Sequence, residues 1–339
     1  MTPSAGRHGR SVRRNPLGAL ALLLSALIVG SLPSAPALAV TIDWVTVGLP
    51  GNACEVQSQG CFGGVDYTYR ISKYEVTNAQ YAEFLNGVAA SDPNGLYNPQ
   101  MTSSPRGGIT RSGGDGSYVY TAIAGRDQMP VVFVSFYDAL RFANWMDNGQ
   151  IVGFQDATTT EDGTYTITEQ GILDNTIVRN AGPRIAIPSE DEWYKAAYHD
   201  ALGMQSTDYF RYPAGSSTIV TCDFPSNAPN SANCGPTVND FTDVGSYTAS
   251  SSPWGTFDQG GNSYNWNEAV DENGFNRQAR GGSWADGHIA LASTTRRFNN
   301  PLDENEITGF RLVAPIPEPS TGLLVALGLL GLARRRRAR

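Results

Sequence analysis

Residues 69–85 read Tyr69, Arg70, Ile71, Ser72, Lys73, Tyr74, Glu75, Val76, Thr77, Asn78, Ala79, Gln80, Tyr81, Ala82, Glu83, Phe84 and Leu85. The stretch predicts a strand that runs into a helix. Thr77 and Gln80 stand at capping-box spacing, where each side chain satisfies a backbone N–H near the other. Beyond them Tyr81, Phe84, Leu85 and Val88 fall on one helical face, the mark of a surface that packs on a core.

The same start recurs twice. Ser135 with Asp138 opens a second helix carrying Leu140, Phe142, Ala143 and Met146, led in by Met129, Pro130 and Val131. Ser189 with Glu192 opens a third carrying Trp193, Ala196 and Ala197, led in by Arg184, Ile185, Ala186, Ile187 and Pro188. Elsewhere, in residues 164–184 and after Ser216, alternation is weak and turn residues dominate, which predicts short strands and long loops. Abundant Gly, Asn, Ser and Thr point the same way, through tight turns and local side-chain hydrogen bonds.

Three further segments complete the order: Gly261, Asn262, Ser263, Tyr264, Asn265, Trp266; then Arg280, Gly281, Gly282, Ser283, Trp284; then Gly309, Phe310, Arg311, Leu312. Each motif alone is weak, but six in this order are specific. The series resembles the formylglycine-generating enzyme (sulfatase-modifying factor) family over about residues 41–314. The resemblance implies an α+β, C-type-lectin-like fold, loop-rich, with few regular helices and short strands. No linker or internal repeat divides this region.

Both ends carry signals of another kind. Arg7, Arg10, Arg13 and Arg14 precede an apolar run over residues 17–32 and then Ala37, Leu38 and Ala39, the layout of a signal peptide cleaved after Ala39. The run is shorter than the ~20 residues a membrane span needs. Arg13 and Arg14 raise twin-arginine export, but Pro16 stands where that route wants an apolar residue. At the other end Pro317, Glu318 and Pro319 precede a short apolar stretch over residues 321–333 and then Arg334, Arg335, Arg336, Arg337 and Arg339. Proline bars an earlier helix start, and the arginines stay cytoplasmic. The arrangement resembles the PEP-CTERM sorting signal of Gram-negative bacteria, which implies exosortase and the export machinery as partners and a transient inner-membrane association. The organisation expected is 1–39 signal peptide, 40–314 globular domain and 315–339 sorting signal. The final location expected is the cell envelope, the outer surface or the extracellular matrix.

Without these ends the 24 basic and 32 acidic residues fall to about 15 and 31, a net charge near −16. Such a surface repels nucleic acid and anionic lipid and attracts divalent cations. Cys54, Cys61, Cys222 and Cys234 form two close pairs in a chain bound for an oxidising compartment, so the expected bridges are Cys54–Cys61 and Cys222–Cys234. Zinc is the alternative, but no His lies near either pair and the spacings are not those of a zinc ribbon. His8, His199 and His288 are the only histidines, too few and too scattered for a His-based metal centre.

Active members of the resembled family oxidise a sulfatase cysteine to formylglycine with two cysteines that hold copper shortly after the Gly-Gly-Ser segment. Aligned on Gly281, Gly282 and Ser283, those positions are Asp286 and Leu291. A cuprous ion needs soft thiolates, so copper is not expected. The iron-dependent branch that joins sulfur to histidine derivatives needs a histidine cluster this chain lacks. Around the same cleft stand Ser283, Trp284, His288, Arg296 and Arg297. Ser, His and Asp in one loop suggest a triad, but such roles are recognised by geometry. The two arginines are expected to pin loops together, and Trp284 to form the cleft wall or stack on a sugar ring.

Relatives also bind calcium at a turn that here reads Asp258, Gln259, Gly260, Gly261, Asn262, Ser263, Tyr264, Asn265. The resemblance implies Asp258 and Asn265 side-chain oxygens with the Gly261 and Ser263 carbonyls as ligands, and a second site at Asn233 and Asn239. Asn265 replaces a family Glu, which removes one negative charge from the cage. A metal-free turn held by Asx hydrogen bonds stays open. The function expected is a binding or structural module with a surface glycan or protein ligand; the alternative is a divergent enzyme of the family.

Overall fold

All three helix starts form as reciprocal capping boxes, Thr77 with Gln80, Ser135 with Asp138 and Ser189 with Glu192. They open α1 (Asn78–Val88), α2 (Phe136–Asp147) and α3 (Glu190–Tyr198). The computed structural model describes residues 39–182, 184–204 and 207–316. The export signal expected in residues 1–38 and the sorting residues Pro317, Glu318 and Pro319 lie outside the described residues.

Two small sheets organise the strands. β1 (Trp44–Val47), β2 (Tyr69–Ser72) and β7 (Val313–Pro315) form one, in the order β1-β2-β7 with both pairings antiparallel. β3 (Tyr264–Val270), β4 (Arg277–Arg280), β5 (Arg297–Asn299) and β6 (Thr308–Gly309) form the other, in the order β5-β4-β3-β6. Strands of two to seven residues in long connections are the loop-rich α+β architecture that the sequence implied. Inside residues 164–184 the loop reading needs one amendment, a five-residue helix at Glu169–Leu173 capped by Thr168.

The core joins α1, α2 and the segment before β7. Phe142 stacks on Tyr81 at 6.0 Å and meets the edges of Phe84 and Phe310, each at 5.3 Å. One stripe of α2 was expected inside, yet every residue from Phe136 to Met146 is buried, because Glu161 covers the polar side by a two-pronged bond to Arg141 at 2.8 and 3.1 Å. A buried charge is tolerated only when paired in this way. Both expected disulfides, Cys54–Cys61 and Cys222–Cys234, are present.

Burial also shifts two acids beside α2. The Asp138 carboxyl is pushed up to about 6 by burial, against the Ser135 hydroxyl and Arg141. Glu304, beside Asn98, is pushed up to about 7 by burial and then by repulsion from Asp138. Both folded values lie above the ordinary carboxylate range, so the folded chain keeps protons that the unfolded chain has lost. Their stabilising share is complete at acid pH and is lost as pH rises through about 6 and 7. Glu304→Gln is therefore expected to be more stable than the parent at pH 8 and equal to it only below about pH 4, under the unfolded Glu value. Partial solvation of Glu304 limits the gain to under about 1 kcal/mol. Thermal melts across that range check it, and a pH-independent difference refutes it.

Candidate functional site

The Gly281–Gly282 pair and the Gly261 turn build the site, because three backbones meet there too closely for side chains. Gly261 N–H donates to the Gly281 carbonyl at 2.9 Å, and both residues have positive φ, 86° and 104°. A Cβ on Gly282 would stand 2.6 Å from Leu291 Cδ1.

This close approach aims the next residues. Ser283 Oγ donates to Asp286 Oδ2 at 2.5 Å, and Asp286 in turn accepts at its carbonyl from Gly235 N–H, tying the cleft loop to the Cys222–Cys234 bridge. The Ser283 hydroxyl thus donates to an acid, not to His288, and its oxygen accepts from Ala285 N–H at 3.3 Å. Tyr264 lies under the Arg297 guanidinium at 4.9 Å, and its phenol is raised by burial and then by the Asp286 charge. Leu291 is fully buried with Tyr212, Val220, Ala232 and Cys234. The two aligned positions therefore hold a hydrogen-bonded carboxylate and a sealed aliphatic side chain.

Trp284 forms the cleft wall. Arg106 covers its face at 4.3 Å, Phe241 meets its edge, and 7% of it is exposed. Arg106 and Arg126 share Asp240, and Arg126 binds it with two prongs at 3.0 and 3.1 Å. Arg296 does pin loops as expected: it reaches Glu190 at the start of α3 at 3.0 Å, beside Arg280 on the other oxygen. Arg297 instead bonds Asn299 within its own strand.

The expected calcium turn is a hydrogen-bonded network. Asn265 Oδ1 accepts from Trp193 Nε1 at 3.1 Å and from Arg311 Nε at 2.7 Å, while Asn265 Nδ2 donates to the Ser263 carbonyl at 3.2 Å. An amide oxygen with both lone pairs engaged by N–H donors, one cationic, is not a calcium ligand. Asp258 Oδ2 accepts from Gly245 N–H at 2.6 Å. The donor set therefore does not fit a calcium cage. At the second expected site, Asn233 Nδ2 donates to the Asp240 carbonyl and Asn262 Oδ1 while its own Oδ1 is buried without a partner, and Asn239 is exposed.

The residues that anchor this network were read in the sequence only as parts of motifs. Glu75 Oε1 accepts from the Ser263 N–H and hydroxyl at 3.1 and 2.6 Å, and its Oε2 from Asn262 at 2.9 Å. Burial, then repulsion from Asp258, raises the Glu75 carboxyl, and burial raises Asp258. Burial pulls Arg311 down to about 10 against the attraction of both acids. Arg311 thus supplies the positive charge of the turn, and its remaining N–H groups go to the carbonyls of Ser72 and Phe257. Added calcium or excess chelator is expected to leave the melting temperature unchanged. A bound ion at a hundredfold excess over its Kd would add about 2.7 kcal/mol, so a calcium-dependent rise of several degrees refutes the metal-free turn.

The sulfatase-modifying factor enzyme 1-like domain model matches residues 65–316, and the PEP-CTERM protein-sorting motif matches residues 315–337. Solved structures similar to the chain include CarF, at 21% identity and a TM-score of 0.52 over 81% of this chain and 99% of CarF. Variable protein 1 of Treponema denticola aligns at 17% identity and a TM-score of 0.51 over 80% of this chain and 95% of its own. At these identities the likeness speaks for the fold. No curated protein matches the chain. The sorting motif marks the chain for export to the cell envelope of a Gram-negative bacterium and for processing by an exosortase.

Proposed function

Because the chain belongs to the sulfatase-modifying factor enzyme 1-like domain family, we propose that it is a noncatalytic member, a binding or structural module of the outer surface or extracellular matrix. One observation carries the reading. Where the resembled enzymes hold copper, this chain has Asp286 bonded to Ser283 and Leu291 sealed in an apolar cluster, and all four cysteines are committed to disulfides. No thiolate remains for a soft metal.

A surface glycan or a protein is the ligand class that such a module would serve. The test pairs glycan and peptide arrays with oxygen uptake in the presence of copper and a cysteine peptide. Array binding without copper-dependent uptake is the expected result. Copper-dependent turnover by the purified domain overturns it.

The second reading, a divergent enzyme, is favoured by the polar group of Ser283, Asp286, Tyr264 and Arg297 gathered at the old cleft. Ser283→Ala separates the two. A loss of any measured turnover with unchanged stability supports the enzyme. Fractionation of the exported protein, with mass spectrometry of its C-terminus, tests its destination and the removal of its tail. Recovery of the intact arginine tail on the mature protein refutes processing.

A further inference from the structure

The turn that ends α2 leaves through Gly149 and Gln150, with φ of 81° and 61°, and Gln150 N–H donates to the Trp145 carbonyl at 2.8 Å. Glycine takes such angles freely, whereas a Cβ strains them. Of the eight described residues other than glycine with positive φ, five are Asn or Asp, whose short side chains tolerate the left-handed region. Gln150 has no such relief, and strain of this kind points to a task for the side chain.

That side chain grips one residue of the backbone on both sides. Val40 N–H donates to Gln150 Oε1 at 2.6 Å, and Gln150 Nε2 donates to the Val40 carbonyl at 2.8 Å, the exchange that a neighbouring strand would make. Gln80 Nε2 holds the next carbonyl, that of Thr41, at 2.9 Å. The Val40 side chain is 7% exposed and belongs to the main core, whereas Ala39 is exposed. Anchorage therefore begins at a single peptide bond. Residue 40 is fixed by its N–H, its carbonyl and its side chain, and residue 39 stands in solvent.

This is also the bond at which the sequence predicts cleavage. We propose that the chain is processed between Ala39 and Val40 and that Gln150 is the receptor for the α-ammonium group so formed. Hydrolysis by a signal peptidase adds one water across the bond. It leaves a carboxylate on Ala39 and, with the proton that the acid releases, an ammonium on Val40, which stays charged below its ordinary value of about 8. The nitrogen keeps its Oε1 acceptor, now in a charge-assisted bond. Its other N–H groups are left on the side from which Ala39 departs, which is open to water. A glutamate at position 150 would hold the ammonium more strongly but has no donor for the Val40 carbonyl, and only an amide serves both. The result is a tied-down N-terminus where chain ends ordinarily fray. It stands apart from the question of catalysis at the old cleft.

Three measurements on protein exported from the full chain test it. Mass spectrometry should find Val40 as the first residue, and any other first residue overturns the proposal. Gln150→Gly removes the grip while easing the backbone, so the domain is expected to stay folded. Its α-amine should react several-fold faster with an acylating reagent at pH 7, read on the N-terminal peptide, and an aminopeptidase that spares the parent should remove Val40. Parent rates in this variant overturn the clamp even where the first residue is Val40. Gln150→Glu reads the charge: a carboxylate there should raise the pH midpoint of acylation by about one pH unit. An unmoved midpoint means that no ammonium faces residue 150, and overturns the proposal as well.

Discussion

Arg311→Met is expected to cost about 3–5 kcal/mol, enough to leave much of the chain unfolded at 25 °C. Arg311 is fully buried and donates to Asn265 Oδ1 and to the Ser72 and Phe257 carbonyls. It is also the cation that the buried acids Glu75 and Asp258 share. Methionine fills much of the volume but orphans three acceptors and leaves two acids without a counter-charge. Arg311→Lys keeps the charge and loses the fork, so it should fall between the two. The mechanism predicts a partial rescue: Glu75→Gln in the Met background should recover stability, although alone it disturbs the Ser263 contacts. Denaturant melts of the four chains form a double-mutant cycle. Strict additivity would sink the account.

Gly261→Ala should lose at least about 3 kcal/mol, at the upper end for single substitutions. Its φ of +86° costs a residue with a Cβ about 1–2 kcal/mol. The new atom would also stand 2.2 Å from the Asn233 carbonyl oxygen, a backbone atom that cannot swing aside. Gly274→Ala supplies the comparison, since its φ is +80° but nothing lies within 4 Å of the added Cβ. It should show the backbone cost alone. Equal losses in the two variants would mean that the contact with Asn233 is unimportant.

Sequence reading reached some of these features and missed others for physical reasons. Capping boxes and closely spaced cysteine pairs are local, so Thr77 with Gln80 and Cys222 with Cys234 could be read from spacing alone. The polar network is not local. The resemblance implied Asn265 as a calcium ligand, but the donors that occupy its oxygen, Trp193 and Arg311, lie 72 and 46 residues away. Glu75 and Arg311 stood in quoted motifs without a role, since nothing in a linear pattern says that two distant charges share one buried space. The complete burial of α2 was hidden in the same way, because nothing local to Arg141 shows that Glu161, 20 residues on, folds over it.

The three-stranded sheet also bears on timing. β2 is flanked by β1 near residue 44 and by β7 at residue 313, so the two ends of the domain are stitched onto one central strand. Pairings between such distant residues form late and slowly. A chain threaded across a membrane from its N-terminus cannot close this sheet until its last strand has emerged, and the sorting motif begins within that strand, at residue 315. The sheet is thus completed by the same residues at which the sorting motif begins.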